Sequence, residues 1–296
     1  MGADGSRDST FVFQFCFISS WTLIIKLCAY HQLLVINLSS VSRGGRITIS
    51  PTSASRTVSG QAMNVTKGNE RMDIQNLREA QVRYENRKEA IINSKENLYQ
   101  VRLAFVTYFN RNKITNMQID DYVIGVKLPQ IGFNFCYGLE RQLDGLGRIF
   151  GSTAFKFGIY YGQTKAEINC EYRFAKKFGT TYQIAFNNVR KAIMDLLNAG
   201  ENENYVEIVN NNLSPMFKGK ILSTYFPEKY LNIFSSDHLN YYLEKLDLQT
   251  SYLFKGDAVY KRKALINFKN QDPVMKNWSV DLFATFLWSE FPGRPL

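Results

Sequence analysis

The longest regular pattern of apolar positions lies in residues 73–110, where Leu77, Tyr84, Ile91, Leu98 and Phe105 recur every seven residues. This spacing predicts a helix. The companion heptad positions are polar, so a complete coiled-coil seam is absent. We expect a solvated first half with one narrow apolar stripe and a second half with a broader buried face. A self-association helix is the functional alternative for this segment.

A different pattern follows in residues 133–163. Phe135, Leu139 and Leu143 recur at helical spacing and predict a short amphipathic helix. Three glycines between residues 145 and 151 predict a turn. Alternation of apolar and other residues from Phe155 to Tyr161 then predicts a half-buried strand.

The rest of the chain alternates between short strand patterns and helix patterns. A strand or strand pair is predicted for residues 164–178, and further strands for residues 206–209 and 221–226. A helix capped by Thr180 or Thr181 is predicted with Ile184 facing inward, and another begins at Ser235 or Ser236. Two more helices are predicted near residues 258–268 and after Ser279.

These patterns predict an α+β fold. Helices form its N-terminal part and its C-terminal end, and a small mixed or antiparallel sheet with packed helices lies between them. We expect three parts: residues 1–62, a helical arm in residues 63–112, and an α+β recognition module in residues 113–296.

Residues 1–62 differ from the rest in composition. An apolar run from Phe11 to Leu38 is interrupted by Lys26, and a stretch rich in Ser, Thr, Gly and Arg follows it. A membrane anchor or signal peptide, a targeting peptide, and translated upstream sequence are the three interpretations. We favour the third, with the natural start at Met63 or Met72, because the motifs that follow belong to a cytoplasmic type of module. Membrane association becomes relevant if the segment is native.

The composition, 45% hydrophobic and 14% aromatic, is that of a globular protein. Its formal charge is +10, and residues 63–296 keep 31 basic against 24 acidic residues, a charge of +7. This excess favours a polyanionic partner, nucleic acid first, although lysine can also serve solubility alone. The four cysteines lack the spacing of metal ligands, and buried free thiols are expected.

Catalytic motifs are not found in the sequence. There is no phosphate-binding Gly-rich loop ending in Lys and a hydroxyl residue, so no ATPase is predicted in this chain. The tetrapeptide from Ser235 to His238 cannot form a catalytic triad from adjacent residues, and helix capping explains it. Asp120 and Asp121 are expected to be solvated. We therefore predict no enzyme activity and no cofactor.

Lysines interleaved with tyrosines predict a binding surface. Lysines can neutralise phosphates while aromatic rings stack on bases, although such tyrosines can equally pack in a core and such lysines can lie at its rim. The candidate nucleic-acid-binding residues are Lys156, Tyr160, Tyr161, Lys165, Arg173, Lys176, Lys177, Lys218, Lys220 and Lys229. For a flipped base, the candidate aromatic walls are Tyr160, Tyr161, Phe217, Tyr225 and Trp278.

Two parts of the sequence resemble the region ahead of the ATPase in McrB-type AAA proteins, the nucleotide-driven subunits of modification-dependent restriction systems. The first is Phe-Cys-Tyr-Gly-Leu-Glu from Phe135, followed by Leu-Gly-Arg-Ile-Phe-Gly-Ser-Thr-Ala-Phe-Lys-Phe-Gly-Ile-Tyr from Leu146. The second comprises residues 220–222 and the run from Phe226 to Leu239. The resemblance covers residues 98–248.

The resemblance implies a non-catalytic, cytoplasmic recognition module that binds DNA, with or without a modified base. Its ATPase would lie in a C-terminal continuation or in a neighbouring protein, and homo-oligomers are possible. The alternatives are a protein-interaction module that binds no nucleic acid, with residues 73–110 and an aromatic surface as the dock, and a membrane-attached protein that uses residues 11–38.

Overall fold

The structure, a computed structural model, describes residues 73–151, 153–248 and 250–293. The predictions for residues 1–62 and for a start at Met63 or Met72 lie outside these residues. Within them the fold is α+β, with many helices and one two-stranded antiparallel sheet, as the sequence predicts.

The helix predicted for residues 73–110 is confirmed as α1 (Ile74–Tyr108). The side chain of Asp73 accepts a hydrogen bond from the backbone N–H of Gln75 and so caps the first turn. The N-terminal half buries a narrow stripe that includes Leu77 and Tyr84, and the C-terminal half buries Phe105. Both halves pack on the rest of the molecule, so α1 contributes to two hydrophobic cores.

Short elements lead from α1 to the sheet. They are α2 (Arg111–Asn116), α3 (Ile119–Tyr122), α4 (Phe135–Tyr137) with a π-helical turn (Gly138–Gln142), a 3₁₀ turn (Asp144–Leu146) and α5 (Thr153–Phe157). Strand β1 (Ile159–Gly162) pairs with β2 (Glu171–Phe174), and Ile159 lies opposite Phe174. A 3₁₀ turn (Lys176–Phe178) follows.

Helices form the remainder of the chain. They are α6 (Tyr182–Glu201), α7 (Tyr205–Asn210), α8 (Pro215–Tyr225), α9 (Ser236–Lys245), α10 (Ser251–Lys255), α11 (Ala258–Gln271), a 3₁₀ turn (Met275–Asn277) and α12 (Val280–Glu290). The predicted caps are confirmed at Thr181 and Ser235, which each accept a hydrogen bond from a backbone N–H three residues later. Ser279, after which a helix was predicted, caps α12 in the same way.

Two hydrophobic cores share α1. The first joins the end of α1 to α4, the hairpin, α6 and α8, with Phe135 and Phe217 among its fully buried rings. The second joins the start of α1 to α9, α11 and α12. There the Tyr84 ring contacts the rings of Trp278 and Phe286, and its hydroxyl donates to the Leu282 carbonyl at 2.8 Å.

Several predicted strands are wrong. Residues 206–209 and 221–226 lie in or at the end of helices α7 and α8. Every residue from Phe217 to Thr224 is buried, so α8 lacks the polar face that would reveal a helical period. Its start is fixed by Ser214, which caps it, and by Pro215 in the first turn.

Two other strand predictions are too long. Residues 153–157 are helical, and β1 begins only after Gly158, which has a φ of +82°. Of residues 164–178, only Glu171–Phe174 form a strand. Ile184 was also expected to face inward, but 47% of it is exposed. It lies on α6 beside Gly179, at the edge of the first core.

The Gly-rich turn after the π-helical segment depends on Gly147. Its φ is +95°, and a Cβ at this position would lie 2.5 Å from the Asn232 carbonyl oxygen. Gly151 has a φ of +120°, but a Cβ there would meet no atom within 4 Å. Both glycines therefore supply a left-handed backbone conformation, and only Gly147 also allows close packing.

We predict that Gly147→Ala destabilises the protein more than Gly151→Ala. Backbone strain alone costs about 1–3 kcal/mol at each position. The clash with a backbone carbonyl adds about 1–3 kcal/mol at Gly147 only. Urea unfolding of the two variants measures the difference, and equal losses would contradict the close packing at Gly147.

Candidate nucleic-acid interface

The hairpin presents two unlike faces. Ile159, Tyr161, Tyr172 and Phe174 point to one face, and Ile159 is fully buried in the first core. Tyr160 pairs with Arg173 on the opposite face. The two predicted tyrosines therefore do not share a surface.

The ten predicted binding residues divide by exposure. Lys165, Lys176, Lys177 and Lys229 are exposed, and Tyr160, Tyr161 and Arg173 are half-buried. Lys156, Lys218 and Lys220 are buried. These three lysines are corrections to the predicted site, because a buried ammonium group cannot reach a phosphate on the surface.

Lys156 and Lys218 form an ion pair and hydrogen bonds inside the fold. The Lys156 ammonium forms a 2.5 Å ion pair with Glu140 of the π-helical turn. The Lys218 ammonium donates to the carbonyls of Ile208 and Val209, in the last turn of α7, at 2.8 and 2.9 Å. Burial lowers the pKa of Lys218, while the two carbonyls at the negative end of a helix compensate its charge.

Lys220 is the most buried of the ten, with no exposed surface. Its ammonium donates to the carbonyls of Leu143 (2.5 Å), Leu146 (3.2 Å) and Gly147 (2.7 Å). All three of its donors are satisfied by one turn. Lys220 thus joins α8 to the turn after the π-helical segment through a structural contact.

Arg173 stabilises the loop between the strands. Its guanidinium donates to the Gly162 carbonyl at 2.9 Å and to the carboxylates of Glu167 and Glu171. These partners raise its pKa, with the hydrogen bond to Glu167 as the largest cause. Its charge is largely compensated, so Arg173 is a weaker phosphate ligand than the sequence suggested.

A series of tyrosine rings leads from the hairpin to α6. The Tyr161 and Tyr172 rings meet edge to face at 5.1 Å, and the Tyr172 and Tyr182 rings stack at 4.8 Å. The Tyr172 hydroxyl donates to Asp120. Tyr182 lies at the exposed end of this series. It was not among the binding residues predicted from the sequence, because its position predicts only the start of a helix.

Most of the basic excess lies in this region. Residues 157–191, which leave out the buried Lys156, contain six Lys or Arg and two Glu, a formal charge of +4 out of the +7 of residues 63–296. Lys165, Lys176 and Lys177 have no carboxylate partner among the described residues. We call the exposed side chains of the hairpin loop, the 3₁₀ turn and the first turns of α6 the hairpin surface.

A polar groove of about 560 Å³ lies beside this surface, between α6 and residues 207–212. One wall comes from α6, with Asn188, Lys191, Asp195 and Asn198 at spacings of three and four residues. The opposite wall consists of Glu207, Asn210, Asn211 and Asn212, with Lys177 at the mouth. Its volume is in the range of small-ligand sites.

The groove contains little aromatic surface. Phe178 is its one aromatic lining residue and is buried beneath the Lys177 ammonium, 5.2 Å from the ring centre. Of the aromatic walls suggested from the sequence, Phe217 and Trp278 are buried in separate cores, and the Tyr225 hydroxyl donates to the Phe109 carbonyl at 2.7 Å. They do not form one pocket.

Other candidate groups have structural roles. Ser235 caps α9 through the backbone N–H of His238. Asp121 pairs with Lys113 at 2.9 Å. Of the two described cysteines, both free, Cys136 is buried as expected and Cys170 is exposed. In residues 73–151, 153–248 and 250–293, no three His, Cys, Asp or Glu side chains group closely enough to bind a metal ion.

Comparison with protein-family models, curated proteins and solved structures gave no match to this chain. In the part of the chain that the structure describes, no helix is both long enough and apolar enough to span a bilayer.

We predict that Lys220→Met lowers the free energy of unfolding by about 2–4 kcal/mol, because buried carbonyl groups lose their donor. Lys229→Met is the matched control. Lys229 is exposed and donates to the Glu201 carbonyl, so its loss should cost under about 0.5 kcal/mol. Chemical denaturation compares the two, and equal stability of both variants would contradict the structural role of Lys220.

The same lysine predicts a pH dependence. Burial lowers the pKa of Lys220 from 10.5 to about 7. Between these values the unfolded chain binds a proton that the folded protein lacks, so stability rises with pH above about 7. Its contribution is at most about 1.4 kcal/mol per pH unit. Wild type should gain stability relative to Lys220→Met from pH 7 to pH 9, and parallel pH profiles would contradict this prediction.

Proposed function

We propose that this chain is a non-catalytic recognition module that binds DNA through the hairpin surface. The supporting observation is the concentration of positive charge in residues 157–191, together with the exposure of Lys165, Lys176 and Lys177. Lysines without carboxylate partners can neutralise DNA phosphates. The counterions that the DNA then releases are the main source of sequence-independent affinity.

The orientation of α6 adds to this surface. Its N-terminus follows the basic 3₁₀ turn, and its first turn contains no acidic residue. The positive end of the helix dipole favours a phosphate, although the Thr181 side chain already accepts the Ile184 N–H of the first turn. The partly exposed ring of Tyr182 lies at the same end and offers a stacking surface.

The biological setting of the proposal comes from the resemblance to McrB-type proteins. In that setting the module reads DNA, plain or modified, in the cytoplasm. An AAA ATPase acts with it in the same chain or as a separate subunit, and homo-oligomers form. The buried Lys156, Lys218 and Lys220 are excluded from the DNA-binding residues in this proposal.

We predict that the full chain binds fluorescein-labelled duplex DNA with a steep salt dependence. Anisotropy titrations at about 50 and about 200 mM salt, with a plain duplex and a 5-methylcytosine duplex, measure affinity and preference. The double variant Lys176→Ala/Lys177→Ala should make the slope of log K against log salt shallower by about 1.8, because two phosphate contacts are lost.

The control is Lys255→Ala/Lys276→Ala, which removes two exposed lysines far along the chain from the hairpin. It should leave the slope unchanged. An equal loss in both double variants would indicate a general charge effect, and no binding of wild type at low salt would reject the proposed function.

A further inference from the structure

The polar groove between α6 and residues 207–212 has a lining unlike that of a base-binding or apolar site. Side-chain amides dominate the wall of residues 207–212, and Asn188 and Asn198 contribute two more from α6. The side chains of Asn210 and Asn212 make no hydrogen bond to any described residue, and the carbonyl oxygen of the Asn188 side chain is similarly unused. Each amide offers a donor and an acceptor, the same pair that a peptide bond presents.

Hydrogen bonds join the two walls, so the groove keeps its shape without a ligand. The Asn211 amide donates to the Ala192 carbonyl at 2.8 Å and accepts from the backbone N–H of Leu213 at 3.0 Å. At the mouth, the Lys177 ammonium donates to the Asn212 carbonyl at 2.7 Å. A preformed groove loses less conformational entropy on binding.

Charge is separated along the groove. Lys177 lies at the end near Asn188, and it has no carboxylate partner among the described residues. Glu207, in the first turn of α7, likewise has no cationic partner among the described residues. Lys191 and Asp195 compensate each other at 2.6 Å. The groove is therefore positive at one end and negative at the other.

The dimensions fit a short extended segment. Asn188 and Asn198 are ten residues apart on α6, which corresponds to about 15 Å along the helix. An extended chain of about five residues has this length. A nucleobase would require a stacking surface, and the buried Phe178 does not offer one.

We propose that this groove binds an extended polar peptide segment of a partner protein, with an acidic side chain at the Lys177 end and a basic side chain at the Glu207 end. The peptide backbone hydrogen-bonds to the amide side chains of Asn210, Asn212 and Asn188. This function is independent of DNA binding, although Lys177 borders both surfaces.

Four synthetic peptides test the proposal: Ac-Glu-Ser-Gly-Ser-Lys-NH2, the two analogues with Gln in place of one charged residue, and the analogue with Gln in place of both. Each is titrated into the ¹⁵N-labelled full chain, and amide shifts of α6 and α7 are followed by NMR. The doubly charged peptide should bind about two- to fivefold more tightly than either singly charged one, as expected for exposed ion pairs.

Two variants give a crossed readout. Lys177→Ala should weaken the peptide that keeps only Glu and spare the peptide that keeps only Lys, and Glu207→Gln should do the reverse. Asn210→Ala should weaken all four peptides. The amide spectrum of each variant verifies that it is folded.

The proposal is overturned if no peptide shifts the groove amides, if the uncharged peptide binds as tightly as the doubly charged one, or if the crossed pattern is absent. Cytidine monophosphate is titrated in parallel, and shifts of the groove amides by this nucleotide without shifts by the peptides would also overturn it. Glu207→Gln should leave duplex affinity unchanged, so failure here is distinguishable from failure of the DNA proposal.

Discussion

The buried ammonium of Lys220 is the contact on which the centre of this structure depends. It reaches from α8 to three carbonyls of the turn that follows the π-helical segment. The Leu143 carbonyl also accepts from the backbone N–H of Leu146 at 3.1 Å, and buried carbonyls without donors are costly. The lysine therefore satisfies the turn, and the turn compensates the lysine for its lost hydration. Asp144 and Asp281 add favourable charge at longer range.

The effect of this contact extends to the segment after α8. Gly147 packs against the Asn232 carbonyl, and the charged groups of Lys220 and Arg262 each lie 5.8 Å from the centre of the Phe234 ring. The Asn232 side chain in turn donates to Asp281 at 2.7 Å. Asp281 also accepts from Lys95 and Tyr99 of α1. Hydrogen bonds to Asp281 thus connect Asn232, α12 and α1, and the turn joins them through the packing of Gly147 on the Asn232 carbonyl.

Sequence reasoning succeeded where a signal is local. A Ser or Thr side chain can accept the backbone N–H three residues later and so marks a helix start, and the caps at Thr181 and Ser235 were predicted in this way. It failed for α8, because this helix is buried on all sides and its polar residues, Lys218 and Lys220 among them, lie inside the fold, so they do not mark a solvent face with a helical period. The candidate site was predictable only in part, since burial of a lysine depends on contacts with distant residues. Lys218 and Lys220 have the same local sequence character as Lys176 and Lys177, and only tertiary packing separates them.

The difference between buried and exposed lysines changes how the net charge of the chain is interpreted. Lys156, Lys218 and Lys220 are buried, as are Lys261, Arg262 and Lys269. Apart from Lys261, their ammonium and guanidinium groups donate mainly to carbonyl oxygens and a carboxylate inside the fold. They therefore add little to the potential that an approaching molecule meets. The surface is therefore less basic than the composition implies, and the exposed excess is concentrated where the hairpin loop and the 3₁₀ turn border α6. Since long-range attraction depends on exposed, uncompensated charge, a polyanion would be drawn to the hairpin surface rather than to the molecule as a whole.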